Sequence, residues 1–127
     1  AKINLDYGHG TGHGVGFFSN VHEGPQAISK FNSVELKKGM IVSNEPGYYE
    51  EGKFGIRIEN LIYVEKEKNK LKFKNLTMAP IDKDLIDYKL LNTKEREYLF
   101  KYNLEVYNNI SPLLNKSEKN WLLNSIQ

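Results

Sequence analysis

The stretch Asp6-Tyr-Gly-His9-Gly-Thr-Gly-His13-Gly-Val-Gly16, followed by Val21-His22-Glu-Gly-Pro25, decides how this chain is read. All three histidines fall within fourteen residues and stand among glycines. Glycine removes the Cβ and opens backbone conformations closed to other residues. Histidine supplies a nitrogen ligand and a proton that moves near neutral pH. A segment with both features is shaped as an active-site wall. Glycines at positions 8, 10, 12, 14 and 16 weaken any helix, so residues 1–35 are expected to form loops and short strands.

Downstream, Gly39-Met-Ile-Val42 is a short apolar run that ends at Asn44-Glu45-Pro46-Gly47, the pattern of a buried strand stopped by a Pro-Gly breaker. Tyr49-Glu-Glu-Gly-Lys-Phe54 reads as a polar turn or hairpin connection. Residues 55–64 alternate, with Ile56, Ile58, Ile62 and Val64 on one face and Arg57, Glu59, Leu61 and Tyr63 on the other. Leu71 to Leu76 is a second alternating strand, and together these segments predict an antiparallel sheet. After Pro80 the texture turns helical. Asn92-Thr-Lys-Glu95 resembles a capping box, and Leu99, Tyr102, Val106 and Ile110 recur as a packing stripe. Pro112 is expected to stop that helix, with Ser117 capping a shorter one through Trp121. The fold class is therefore α+β.

Composition narrows the function. Of 127 residues, 39% are hydrophobic and 27% charged, as in a water-soluble globular domain. No apolar run approaches the roughly 18–20 residues that span a bilayer, so no membrane partner is expected. A net charge of +2 is too small to argue for nucleic acid. The lysines from Lys66 to Lys74 read as a solvated strand-loop face. Without cysteine there is no disulfide framework or thiolate chemistry, which favours a reducing, cytoplasmic location. The chain opens on Ala1-Lys-Ile-Asn with no signal-peptide pattern, and is expected to be a piece of a longer polypeptide.

Three groups carry chemistry: the histidine cluster, Glu45, and the pair Arg57/Glu59. Glu45 sits at a strand end, where a buried carboxylate is costly without a partner. Arg57 and Glu59, two apart on a strand, project from the same side roughly 6–7 Å apart. Mixed carboxylate and imidazole ligands suit Mn²⁺, Co²⁺ or Zn²⁺. One histidine and two glutamates fall short of a dinuclear site, so the residues alone leave open a metal site, a metal-free pocket or a structural cluster.

The long motifs are more specific. His9-Gly-Thr-Gly-His13-Gly-Val-Gly with Asn20-Val-His22-Glu-Gly-Pro25, Gly39-Met-Ile-Val-Ser-Asn-Glu45-Pro-Gly-Tyr-Tyr-Glu-Glu51 and Gly55-Ile-Arg57-Ile-Glu59-Asn60 resemble the aminopeptidase P (Xaa-Pro aminopeptidase) family of M24 "pita-bread" metallopeptidases. The likeness continues through Leu76-Thr-Met-Ala-Pro-Ile-Asp82 and Leu90 to Arg96, and on to Ser111-Pro-Leu-Leu114 and Trp121. That tail is similar to the C-terminal extension of the three-domain form. The resemblance implies the C-terminal half of a pita-bread catalytic domain over residues 1–76 and a helical extension over 77–127. It implies an enzyme that hydrolyses the N-terminal Xaa-Pro bond of peptides with proline second, using two divalent ions, Mn²⁺ by preference.

Carried over residue by residue, His13, Glu45 and Glu59 match metal ligands. Glu45 also matches the general base, and Glu59 the bridging carboxylate. His22 matches a histidine that contacts substrate and stabilises the oxyanion. His9 matches a residue lining the proline pocket, and Arg57 a basic residue that orients the site. The family also uses two aspartate ligands N-terminal to the histidine loop, and only Asp6 precedes His9 here. The chain alone is therefore expected to be inactive until an N-terminal half completes the site. The alternatives are a non-catalytic pita-bread binding module, or another enzyme of the fold such as prolidase. Intact His13, Glu45 and Glu59 argue against the first. Gly10-Thr-Gly-His13-Gly-Val15, Tyr48-Tyr49-Glu50-Glu51 and the helical tail argue against the second. The resemblance further implies a homodimer through the C-terminal region, for which Leu99, Tyr102, Val106 and Trp121 are candidates alongside intramolecular packing.

Overall fold

In a computed structural model, described for residues 5–126, seven strands precede two helices, and the chain divides between Thr77 and Met78 into two compact units. The first unit holds β1 (Gly12–Val15), β2 (Ala27–Ile28), β3 (Ile41–Asn44), β4 (Gly47–Glu50), β5 (Phe54–Arg57), β6 (Asn60–Glu67) and β7 (Lys70–Asn75). Five of these form an antiparallel sheet in the order β2-β1-β3-β6-β7, and β4 pairs with β5 separately. Val42, Ile62 and Val64 are its buried apolar residues. They occupy alternate positions of β3 and β6, as period-2 patterning requires. The sheet class and the α+β reading match the sequence expectation.

One expected strand is broken. Residues 55–64 alternate without interruption, yet β5 ends at Arg57 and β6 begins at Asn60. The cause lies on the partner strand. Asn44 faces Asn60 and Gly47 faces Arg57, so the register is continuous: three residues forward on one strand meet three back on the other. Only one hydrogen bond lapses, because Pro46 lacks an N–H to give. Ile58 N still donates to the Pro46 carbonyl at 3.3 Å, and Glu45 N bonds Thr11 O at 2.7 Å on the other side, where the β1–β3 register places it. Beyond the break Ile56 and Ile58 are 44% and 49% exposed, so only Ile62 and Val64 of the four-residue face enter the core. Leu71 and Phe73 on β7 are also exposed.

The second unit contains a short 3-10 turn (Lys83–Leu85), α1 (Thr93–Ile110), a second such turn (Ser111–Leu113) and α2 (Lys116–Ile126). Asn92 caps α1 as the sequence indicates: its side chain accepts from Glu95 N at 3.1 Å, and Glu95 accepts from Asn92 N at 2.9 Å. Arg96 adds a staple, donating to the carbonyls of Tyr88 and Leu91. Pro112 lies in the turn after Ile110, where a helix interior cannot hold it. Tyr102, Val106 and Leu122 form the core, with Ile81, Ile110, Leu114 and Ile126 packed around it. Trp121 is 66% exposed; its neighbour Leu122 takes the buried place. Tyr102 and Val106 are therefore committed to this core and cannot also serve as an outer face.

The cap of α2 differs from expectation. Asn115, not Ser117, accepts from Glu118 N at 3.0 Å, and Glu118 returns the bond to Asn115 N at 2.8 Å. The same asparagine-to-glutamate spacing that marks α1 was present, two residues before the serine. Asn115→Ala should cost about 1 kcal/mol of stability, whereas Ser117→Ala should stay within about 0.5 kcal/mol. Urea denaturation of the two variants checks this; an equal loss for both would assign the cap wrongly.

Candidate metal centre

The register that the proline break preserves also aligns the chemical residues. Gly14 faces Val42, and Val42 faces Ile62. Following these ladders one step on, His13 meets Ser43, and Ser43 faces Leu61. Two steps further along β3, Glu45 comes level with Thr11 and Glu59. Residues two apart in a strand share a face. His13, Ser43, Glu45 and Glu59 therefore project on the face opposite the buried Val42 and Ile62.

Their side chains converge. One ligand atom from each of His13, Glu45 and Glu59 lies within 4.8 Å of the others. His13 Nε2 is 3.5 Å from Glu45 Oε1. His13 Nδ1 is 2.9 Å from the Gly14 carbonyl; a carbonyl only accepts, so Nδ1 carries a proton and Nε2 is the ring nitrogen that faces the carboxylates. Arg57 Nη1 lies 3.5 Å from Glu45 Oε2, and its Nε 3.9 Å from Glu59 Oε2. Glu45 is 12% exposed and Glu59 45% exposed. The first is thus largely withdrawn from water, and the second stands open to it beside Arg57.

A residue that sequence reasoning missed holds this arrangement. Ser43 is fully buried. Its Oγ accepts from His13 N at 2.9 Å and donates its proton to Glu45 Oε1 at 2.7 Å. One hydroxyl thus joins two of the converging residues and gives a desolvated carboxylate a partner. The signal was legible: Ser43 stands two before Glu45 on a strand, hence on its face.

The donor set fits a divalent ion. Ligands about 2.0–2.2 Å from an ion lie no more than about 4.4 Å apart, so the exposed Glu59 needs to move little. An imidazole nitrogen with two carboxylates suits Mn²⁺, Co²⁺ or Zn²⁺, and the Nδ1–H bond of His13 and the Ser43 bond to Glu45 are the outer contacts such ligands require.

The other two histidines divide. The His22 ring lies against His13, with centroids 4.2 Å apart, so it belongs to the same face. His9 keeps different company. Its Nδ1 donates to Gly10 O at 2.7 Å, and in the neutral ring Nε2 accepts from Tyr49 O–H at 2.7 Å. Tyr7 packs on it at 4.8 Å and bonds Thr11 Oγ1 at 2.7 Å. His9 lines a cavity of about 460 Å³ with Tyr7, Thr11, Ser29 and Lys30 among its walls. At its rim the Lys30 ammonium, bonded to Asp6 at 2.6 Å, holds the Asp6 carboxyl below the usual carboxylate range. Both groups are exposed, so the pair contributes little to stability.

Comparison with known proteins fits this geometry. The profile of metallopeptidase family M24 matches residues 1–66, and that of the C-terminal region of peptidase M24 matches residues 69–127. The chain belongs to metallopeptidase family M24. This M24 chain is 52% identical over 121 residues to a probable Xaa-Pro aminopeptidase P of Laccaria bicolor, covering 87% of itself and 19% of that protein. It is 50% identical over 135 residues to Aminopeptidase P2 of Arabidopsis thaliana, with 98% and 19% covered. It matches the crystal structure of X-prolyl aminopeptidase from Caenorhabditis elegans, described as a cytosolic enzyme with a di-nuclear active site. The TM-score is 0.86 at 37% identity over 99% of this chain and 22% of that one. The M24 chain thus spans about a fifth of the length of the relatives it matches.

Ser43→Ala should cost about 1–3 kcal/mol in denaturant unfolding, because the His13 N–H and the Glu45 carboxylate both lose a buried partner. A loss no larger than that of an exposed serine would show that the hydroxyl holds neither.

Proposed function

We propose that the chain is part of a dinuclear-metal aminopeptidase that removes the first residue from peptides with proline second. The convergence of His13, Glu45 and Glu59 within 4.8 Å on one sheet face carries this reading, and membership of family M24 and the Xaa-Pro aminopeptidase names of its relatives support it. Residues 1–76 form the C-terminal half of the catalytic domain, and residues 77–127 the helical extension. That extension supplies a homodimer contact, for which exposed Phe100, Leu113 and Trp121 are available. The working location is the cytoplasm.

In this reading His13, Glu45 and Glu59 hold two divalent ions, Mn²⁺ by preference, with two aspartates from an N-terminal half. The bound ions supply Lewis acidity and charge neutralisation at the scissile carbonyl. Glu45 takes the proton of the attacking water, its carboxylate held for that role by the Ser43 hydroxyl at Oε1 and by Arg57 3.5 Å from Oε2. His22, beside His13, donates to the oxygen on which charge develops. Arg57, within 3.9 Å of both carboxylates, sets their orientation. A proline amide offers no N–H, so selection of the ring rests on shape, with His9 and its tyrosines forming that wall.

Two measurements test this. Calorimetric Mn²⁺ titration of the chain should give binding that His13→Ala, Glu45→Gln and Glu59→Gln each weaken at least about tenfold, the loss expected even for an outer partner of a ligand. The polypeptide that includes the N-terminal half should hydrolyse Xaa-Pro-Yaa tripeptides, and the chain alone should not. Affinity unchanged in all three variants would remove the metal site. Hydrolysis and two-ion binding by the isolated chain would remove the dependence on a second half.

A further inference from the structure

The loop that carries His22 is held by one carboxylate that no role above uses. Between β1 and β2 the chain leaves the sheet at Gly16 and returns at Gln26. Within that excursion Glu23 accepts from Phe18 N at 3.2 Å through Oε1 and from Asn20 N at 2.9 Å through Oε2. Between these two donors Ser19 adopts φ 61°, the left-handed region that non-glycine side chains avoid. Such a conformation persists only where its surroundings over-determine it, and the two bonds to Glu23 flank it directly.

The return leg is equally constrained. Glu23 N donates to Gly14 O at 2.9 Å, and buried Gln26 donates to Ile41 O at 3.1 Å. The segment lies so close on β1 that a Cβ on Gly14 would strike the Glu23 and Gln26 carbonyls, and one on Gly16 the Glu23 carboxyl. The glycines at 14 and 16 are therefore cut to admit Glu23. His22, the residue before it, is exposed, and among the described residues its ring neighbour is His13 at 4.2 Å, with no hydrogen bond of its own to fix it there.

We propose that Glu23 is the positioning residue for His22: its carboxylate staples the 16–22 loop and so sets the His22 ring against His13. The importance of that placement for turnover rests on the peptidase reading above; the placement itself does not.

The test uses the isotope-labelled full chain. In Glu23→Ala the amides of Phe18 and Asn20 should exchange at least about tenfold faster, each having lost a bond to a charged acceptor. The cross-peaks between the His13 and His22 ring protons should disappear, while the Val42 and Val64 methyl signals stay in place. Glu23→Gln keeps one acceptor oxygen, so one of the two amides should remain protected and the ring cross-peaks should weaken without vanishing. If the alanine variant does not fold, the glutamine variant decides alone. Ring cross-peaks at full strength in the variant read would overturn the proposal, as would unchanged exchange at both amides. In the polypeptide completed by its N-terminal half, Glu23→Gln should lower kcat for an Xaa-Pro-Yaa peptide and leave KM within about twofold, since the ring acts on charge that develops only in the transition state. A completed wild-type polypeptide that hydrolyses nothing while its ring cross-peaks persist would overturn the peptidase reading and leave the role of Glu23 standing.

Discussion

The antiparallel register of β1, β3 and β6 is the constraint on which the rest of the first unit depends. A slip of one residue would send every side chain of a strand to the opposite face. Here it would move Val42, Ile62 and Val64 out of the core and take His13, Ser43, Glu45 and Glu59 off their shared face together. Core and candidate site are thus two readings of one alignment, and burial of three aliphatic side chains is what holds the three candidate ligands in place. Ser43 makes the link physical. It is the polar residue on β3 that is fully buried, and both its bonds go to the ligand face.

The chemistry sits where the ladder lapses. Pro46 removes a donor without shifting the register, so strands on both sides of it stay aligned, and the gap between them keeps the Ile58 N–H bond to the Pro46 carbonyl but lacks its return. Beside it the Glu45 N–H continues the β1–β3 ladder to Thr11 and ties β3 to the histidine loop, and the Glu45 carboxylate, 12% exposed, faces Ser43, His13 and Arg57. A carboxylate so withdrawn from water is tolerable only with such partners. Glu59, across the same gap, stays 45% exposed. One side of the candidate site is therefore held by neighbours and the other stands open to water.

Much of this was legible in residue order. Alternation marked β6 and β7, the Pro-Gly pair marked the end of β3, and asparagine followed three later by glutamate marked α1. The same rule, applied at Asn115, would have placed the second cap correctly; the serine two positions on was the wrong choice because it lacks a reciprocal glutamate. Ile56 and Ile58 share the alternation of Ile62 and Val64 yet stay exposed, for a different reason. Their periodicity is that of a core strand, but periodicity says which residues share a face and not whether anything covers that face. On α2, Leu122 holds the interior and Trp121 is exposed.

The residue types, their spacing and the long motifs by themselves determined the α+β class, the candidate ligands His13, Glu45 and Glu59, and the family to which the chain belongs. Each of these depends on local pattern, which the order of residues carries directly. Only the tertiary structure decided that Ser43 joins His13 to Glu45, that His9 turns to Tyr49 while His22 turns to His13, and that Glu23 reaches back to Phe18 and Asn20. Those contacts pair residues from separate strands and loops. Their partners are set by register and by the close approach that Gly14 and Gly16 allow, and neither is a property of any one stretch of chain.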